Sequence, residues 1–340
     1  MLYVFSLNEL SRCGAFCILN FIKRRIIIQK SNLNLSANEE EANLNLYAID
    51  YLKIEIQLTN NPSELSEKVV IPFIKSIEGE YQQQQESYGQ EWIQGSYGSQ
   101  LKVKAKNSDT LLVEGNFFKW LYGHNVTGST DIIKLVCDTV TKLVDNLKGL
   151  SPTEDELDHI KDGDFKIHRI DLNKAILFPD KDAAQLYLAI IKEHGTYPRR
   201  KKDTKGNGTY FGLQSKRTTL LYYHKGNEID AHKKQQHCIT AELKAYADCM
   251  VRCEVRLYSQ HLRDNQLNYG YHWNEDLVVE IVEQNHALLN LPPPIAEADL
   301  PARYVRFLAT SKQGALPIAY TPTTIARYKR DLAKQYGLMV

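Results

Sequence analysis

Gly208-Thr209-Tyr210-Phe211-Gly212-Leu213-Gln214-Ser215-Lys216-Arg217-Thr218-Thr219-Leu220-Leu221-Tyr222-Tyr223-His224-Lys225-Gly226 is the stretch whose reading decides the fold. Thr, Tyr, Phe and Leu favour a pleated surface, and Gly208, Gly212 and Gly226 punctuate it. The stretch therefore predicts two β-strands meeting at a tight basic turn. The second strand runs from Thr218 to Lys225. Its side chains alternate, so Leu221, Tyr223 and Lys225 share one face and Leu220, Tyr222 and His224 the other. A phenol two residues before an ammonium on one face is a usable pair. The phenol oxygen can attack a phosphate, and the ammonium can offset the charge that builds there. With 20 tyrosines in the chain, a plain sheet tyrosine is the ordinary reading unless other segments supply matching carboxylates and basic groups.

Other segments offer such groups. Phe165 to Phe178 predicts a strand with Arg169, Asp171 and Asn173 on one face. Aspartate in mid-strand is unfavourable unless hydrogen-bonded, paired or metal-bound. Met250 to Leu257 predicts another strand, with Val251, Cys253, Val255 and Leu257 inward and Arg252, Glu254 and Arg256 on the opposite face. Glu114 ends the strand Thr110 to Gly115, which pairs across the Asn107-Ser108-Asp109 turn with a strand carrying Lys102, Lys104 and Lys106. Three acids on polar strand faces, Glu114, Asp171 and Glu254, suit an octahedral Mg²⁺ or Mn²⁺, which prefers hard oxygen ligands. The basic loop Pro198 to Lys205, with Arg199, Arg200, Lys201 and Lys202, leads into the opening hairpin, where Lys216 and Arg217 extend it. Such clusters are the footprint of phosphate-backbone contact.

The rest of the chain frames these strands. Leu52, Ile54, Ile56 and Leu58 alternate with polar residues in a strand beginning near Tyr47. Gln82 to Gln100 reads as a loop or ragged hairpin. Ser129 or Thr130 can cap a helix whose apolar stripe runs from Ile132 to Leu147. Lys181 to His194 predicts a helix with Gly195 past its end, and Glu228 to Asp248 a polar helical stretch. Near the C-terminus, Leu300 to Ser311 and Thr323 to Tyr336 predict helices, the last with Thr321 as cap and Pro322 at its first turn. Arg327, Lys329 and Arg330 decorate that last helix, as a helix read into a major groove would require.

Composition narrows the class. Net charge is +1, so nucleic-acid binding must come from local patches rather than a global field. The six cysteines make no second pair for a zinc site and read as reduced thiols. No apolar run reaches the roughly 18 residues of a membrane span. The first 46 residues, patchily apolar and then rich in Asn, Ser and Glu, read as an extension outside the functional core.

Five segments then carry a resemblance: Val113-Glu114; Gly123-His124-Asn125-Val126 with Gly128-Ser129-Thr130-Asp131; Arg169-Ile170-Asp171; Tyr223 with Lys225 and Glu228; and Val251-Arg252-Cys253-Glu254-Val255-Arg256. In this order they resemble the gene II replication initiators of filamentous phages and related plasmids, from about Ile49 to the C-terminus. The resemblance implies a rolling-circle initiator that nicks one strand of a double-stranded origin, holds the 5′ phosphate on a tyrosine and later rejoins the displaced strand. By the family pattern of Tyr, any residue, Lys and then Glu, Tyr223 matches the nucleophile, with Tyr222 its competitor. No His-hydrophobic-His metal motif is present, which favours carboxylate ligation.

The expectation is an α+β protein: an antiparallel-sheet, nuclease-type core flanked by helices, with a C-terminal helical segment. Residues 1–46 form the extension, 47–285 the catalytic nicking-joining domain and 286–340 the helical DNA-binding segment. Tyr223, Lys225, Arg252 and Arg256 are the expected catalytic set, and Glu114, Asp171 and Glu254 the metal ligands. Expected partners are double- and single-stranded origin DNA with host helicase and polymerase, in the host bacterial cytoplasm and away from membrane. A metal-dependent nuclease using water and a non-catalytic origin-binding protein are the alternatives.

Overall fold

The computed structural model describes residues 46–71, 73–75, 77, 81–83, 87–95, 98–231, 238–291 and 299–340. The expected N-terminal extension lies outside these residues except for Leu46, as do Cys13 and Cys17.

Nine strands form the main sheet: β1 (Tyr47–Gln57), β2 (Glu91–Gln94), β3 (Gln100–Asn107), β4 (Thr110–Gly115), β5 (Lys166–Leu177), β6 (Lys202–Lys205), β7 (Gly208–Phe211), β8 (Thr218–His224) and β9 (Met250–Tyr258). Their order is β6-β7-β8-β9-β5-β1-β4-β3-β2. Every neighbouring pair is antiparallel. Besides single helical turns at Pro62–Leu65 and Gly270–His272, the helices among the described residues are α1 (Phe117–Tyr122), α2 (Ile132–Asn146), α3 (Glu154–Lys161), α4 (Lys181–His194), α5 (Lys225–Ala231), α6 (Ala241–Asp248), α7 (Ser259–Asp264), α8 (Glu275–Ala287), α9 (Ala302–Lys312), α10 (Leu316–Ala319) and α11 (Pro322–Tyr336). The fold is therefore α+β on an antiparallel sheet, as expected.

Period-two alternation explains how this sheet divides its labour. Leu52, Ile54, Val113, Leu172, Leu220, Tyr222, Cys253 and Val255 join one apolar cluster with Leu135 and Val140 of α2, Ile191 of α4 and Val278 of α8. Fully burying each such aliphatic side chain contributes roughly 1.5–3 kcal/mol, so this face holds the fold together. The alternate residues, among them Tyr51, Asp171, Asn173, Tyr223, Arg252 and Glu254, are left to the opposite face.

Three local expectations shift. Asp131 caps α2, its carboxylate accepting from Lys134 N at 2.9 Å, because the residue immediately before the first helical turn reaches that donor. Half of the basic loop is sheet: Lys202–Lys205 folds back onto β7 as the edge strand β6, through a turn at Gly206 whose φ of 57° suits glycine. Finally, β8 stops at His224 and Lys225 opens α5. His224 Nδ1 accepts from Asn227 N at 2.9 Å, which gives the helix its cap and turns the chain out of the sheet. The expected polar helix from Glu228 to Asp248 becomes two, α5 and α6, with 232–237 outside the described residues.

At the C-terminus Tyr304, Phe307, Leu308 and Leu332 form a cluster of their own, packed by Tyr320, Tyr328 and Tyr336. Thr321 caps α11, Pro322 lies in its first turn, and Gly337 ends it at a φ of 64°. The backbone carbonyl of Lys334 meets His194 Nε2 of α4 at 2.6 Å, tying α11 to the body.

Candidate active site

Strand register assembles the polar face. Tyr223 of β8 lies directly across from Arg252 of β9, and Leu221 from Glu254. Glu254 in turn lies across from Asn173 of β5, and Arg256 from Asp171. Asp171 faces Tyr51 of β1, and Lys53 lies between Arg169 and Glu114. Tyr222 points the other way, into the apolar core, where its hydroxyl meets His286 Nδ1 at 2.7 Å.

The carboxylates on this face are matched with cations. Asp171, only 2% exposed, accepts from Arg169 Nε at 2.8 Å and Nη2 at 2.6 Å, with Arg256 Nε at 3.6 Å. Glu254 accepts from Arg256 Nε at 2.7 Å. Burial pushes the Glu254 carboxyl up to about 7, against the pull of Arg256. Glu114 accepts from Tyr51 Oη at 2.5 Å and pairs with Lys53 at 3.2 Å. Asp171 and Glu254 thus share the centre of the face, while Glu114 sits across β1 from Asp171. Among the described residues no three His, Cys, Asp or Glu side chains gather as a metal would require. As arranged, Glu114, Asp171 and Glu254 each face a cation of their own, Lys53, Arg169 and Arg256.

A second cluster surrounds Tyr223, and its centre was not singled out by sequence. The register between β1 and β5 shifts between Ile49 and Tyr51, a bulge that takes Asp50 out of the ladder. Bulges of this kind re-aim a side chain. Asp50 Oδ1 accepts from Asn116 Nδ2 and Asn125 Nδ2, both at 3.0 Å, and lies 3.5 Å from Arg252 Nη1. Burial alone pushes the Asp50 carboxyl up, but Arg252, Lys225 and the two amides outweigh it and hold it below the usual range. Arg252 is 1% exposed and donates from Nη2 to Val126 O at 2.9 Å. Lys225 is fully buried and donates to Asn125 Oδ1 at 2.8 Å and Glu228 Oε2 at 2.7 Å. Burial, then repulsion from Arg252, brings its ammonium down to about 8. Tyr223 sits among these charges. Burial pushes its phenol well above the usual range, with Arg252 pulling the other way.

The structure thus brings Tyr223, Lys225 and Arg252 into one neighbourhood with Asp50, Asn125 and Glu228, and sets Arg256 with Glu254 and Asp171 beside it. Two signals pointed to the residues left out. Asp50 interrupts the alternation of β1, and Asn125 follows His124 in a Gly-flanked turn.

The basic residues occupy two places. Arg199, Arg200, Lys201 and Lys202 run into edge strand β6, and Lys216 and Arg217 form the β7–β8 turn on the same side of the sheet. Arg200 is tied to Thr218 O, Lys202 to Glu193 O at 3.1 Å, and Arg217 to Asp264. Arg217 lies at the far end of β8 from Tyr223, roughly 20 Å along the strand. Arg327 and Arg330 of α11 are exposed and Lys329 half-buried, with the Arg327 guanidinium over the Tyr328 ring. No helix among the described residues is long and apolar enough to cross a membrane.

Three likenesses complete the picture. Residues 34–276 match the family model for the N-terminal part of the replication-associated gene II protein. The replication-associated gene II protein of Enterobacteria phage I2-2 is 26% identical over 204 residues, 56% of this chain and 58% of that protein. The chain thus matches little more than half the length of that relative. A solved rolling-circle replication initiator from Geobacillus stearothermophilus overlaps 75% of this chain and 89% of its own, at 13% identity and a TM-score of 0.31. A score that low leaves the two folds unequated.

Proposed function

The chain belongs to the family of replication-associated gene II proteins, and from that premise we propose that it initiates rolling-circle replication by nicking one strand of a phage or plasmid origin and rejoining the displaced strand. One observation carries the reading: Tyr223 lies on the polar face of β8, directly across from the buried Arg252. Arg252 is in turn held by Asp50. A tyrosine that merely filled the sheet would have no need of a buried arginine, lysine and aspartate around it.

Tyr223 Oη attacks the scissile phosphorus. An O–P bond forms to the phenol oxygen and the bond from phosphorus to the 3′ oxygen breaks. The products are a 5′-phosphotyrosine and a free 3′ hydroxyl. Glu254, diagonal to Tyr223 on the neighbouring strand and titrating near 7, takes the phenol proton and returns it to the 3′ oxygen. Lys225, Arg252 and Arg256 offset charge on the phosphoryl oxygens. One phosphodiester bond is exchanged for another, so rejoining needs no nucleotide cofactor. Mg²⁺ or Mn²⁺ would be held by Asp171 and Glu254, with Glu114 across β1 from them, and would offset charge on the phosphoryl oxygens. Domain 47–285 performs the chemistry. The helical segment 286–340, through Arg327, Lys329 and Arg330, and the edge residues Arg199 to Lys202 with Lys216 and Arg217 hold double- and single-stranded origin DNA. In the bacterial cytoplasm a host polymerase would extend the freed 3′ end while a host helicase separates the strands.

The test is a labelled single-stranded origin oligonucleotide incubated with protein and Mg²⁺. A denaturation-resistant protein–DNA adduct is expected. A free cleavage product without adduct would assign the cut to water, and binding alone would remove the catalytic reading.

A further inference from the structure

Buried polar atoms are normally hydrogen-bonded, so those that are not are informative. Among the described residues, Asn60 Oδ1, His124 Nδ1, Asn173 Nδ2, Arg252 Nε and Arg252 Nη1 are buried without a hydrogen-bond partner. All but the first lie around the Tyr223 neighbourhood, and Nη1 still has Asp50 at 3.5 Å. Of the remaining three, His124 Nδ1 is a ring nitrogen that donates or accepts according to its tautomer, and two are obligate N–H donors on adjacent strands of the polar face, from Asn173 and Arg252. They are 2% and 1% exposed. Asn173 lies across from Glu254, and Arg252 two residues from Glu254 along β9, so the two are diagonal neighbours. Tyr223 lies directly across from Arg252 on the other side, its hydroxyl within hydrogen-bonding reach of the Arg252 guanidinium.

The neighbouring carboxylates already have donors of their own, Asp171 on both oxygens and Asp50 and Glu254 on one each. Asp50 is held by Asn116, Asn125 and Arg252, Glu254 by Arg256, and Asp171 by Arg169. Pure donors left open beside paired carboxylates call for an acceptor brought from outside. Beside a tyrosine that attacks a phosphodiester, the acceptor of matching chemistry is a non-bridging phosphoryl oxygen.

We propose that Asn173 is a catalytic residue of this site, donating from Nδ2 to a non-bridging oxygen of the scissile phosphate together with Arg252 Nε. The inference rests on the nicking reading above and adds to it a contact to one particular oxygen. The bonds made and broken are those already given, and Asn173 exchanges no proton. Its amide is neutral, so it recognises the oxygen by direction rather than by charge. It therefore separates one of the two non-bridging oxygens from the other, which a cluster of cations alone does poorly.

Stereopure phosphorothioates at the scissile phosphate read this directly, in single-turnover adduct formation with the full-length protein. Sulfur accepts an N–H hydrogen bond poorly, so one diastereomer is expected to react at least about tenfold more slowly than the other with the unaltered protein. Asn173→Leu, which keeps the volume and removes the donor, is expected to form adduct at least about tenfold more slowly on the natural phosphate. It should lose the preference between diastereomers and bind origin duplex as before. Its melting temperature should not fall, because an unpaired polar group has been replaced by an apolar one. Asn173→Ala serves the same comparison if the leucine variant does not fold. Retention of the full diastereomer preference in either variant would overturn the assignment. Failure of the unaltered protein to form adduct on the natural phosphate would overturn the nicking reading, and this inference with it.

Discussion

Tyr222 and Tyr223 are neighbours in sequence on the same strand, and both are buried, yet they sit in opposite kinds of environment. Tyr222 is surrounded by the main core, stands edge-on to Phe211, and meets His286, whose imidazole burial pulls down to about 4. Tyr223 looks across at Arg252 and shares its face with Glu254, Asp171 and Asn173. Burial alone does not mark the functional tyrosine. What distinguishes it is that its neighbours are charged, mutually paired and still left with open donors.

The largest effect expected from this contrast is chemical. Tyr223→Phe removes one oxygen and should bring adduct formation to background in a denaturing-gel assay, with origin binding retained. Next comes the stability of the charged face. Asp50→Ala leaves Arg252 and Lys225 without the carboxylate between them, and urea unfolding should show a loss of about 3 kcal/mol. On the core face the penalty is smaller. Tyr222→Phe deletes the hydrogen bond to His286 and should cost about 1 kcal/mol while leaving adduct formation measurable. Comparable adduct loss in both tyrosine variants would erase the contrast.

Glu254 sharpens it through pH. Its folded carboxyl titrates near 7, above the ordinary 4.5, so the native state holds the proton more tightly than the unfolded chain. The stability this gives is fully present below about 4.5 and is lost as pH rises through 7. Glu254→Gln should flatten the fall in stability over that window, and thermal unfolding across pH measures it. The same group should make single-turnover adduct formation rise through about 7. Lys225, at about 8, should make it decline above that pH as the ammonium is lost. The smallest effect concerns salt. Neutralising Arg199, Arg200, Lys201 and Lys202 together should flatten the dependence of log affinity on log salt by about 2, not the full value for four contacts. Arg200 and Lys202 are already engaged with Thr218 O and Glu193 O. An unchanged slope would move the DNA path off this edge.

Much of this contrast was legible in the sequence because period-two alternation assigns faces without tertiary information. The hairpin, the strands carrying Asp171 and Glu254, and the opposite faces of Tyr222 and Tyr223 all follow from it. Asp50 escaped because a bulge, not the pattern, decides where it points, and a bulge is set by pairing with β5. Lys225 escaped as a sheet residue because the His224 side chain caps a helix there, an event that depends on one hydrogen bond. The pairing of Glu114, Asp171 and Glu254 with cations was equally hidden. Which lysine or arginine reaches which carboxylate is fixed by strand order, and β1 intervenes between Asp171 and Glu114.

The central claim is that Tyr223 carries the covalent bond, and peptide mapping of the trapped adduct tests it most directly. After nuclease trimming and trypsin, the modified peptide should be Thr218 to Lys225, which contains both tyrosines. Fragment ions should place the residual nucleotide on Tyr223, with Tyr222 unmodified. A nucleotide on Tyr222, or on a tyrosine in any other peptide, would contradict the account.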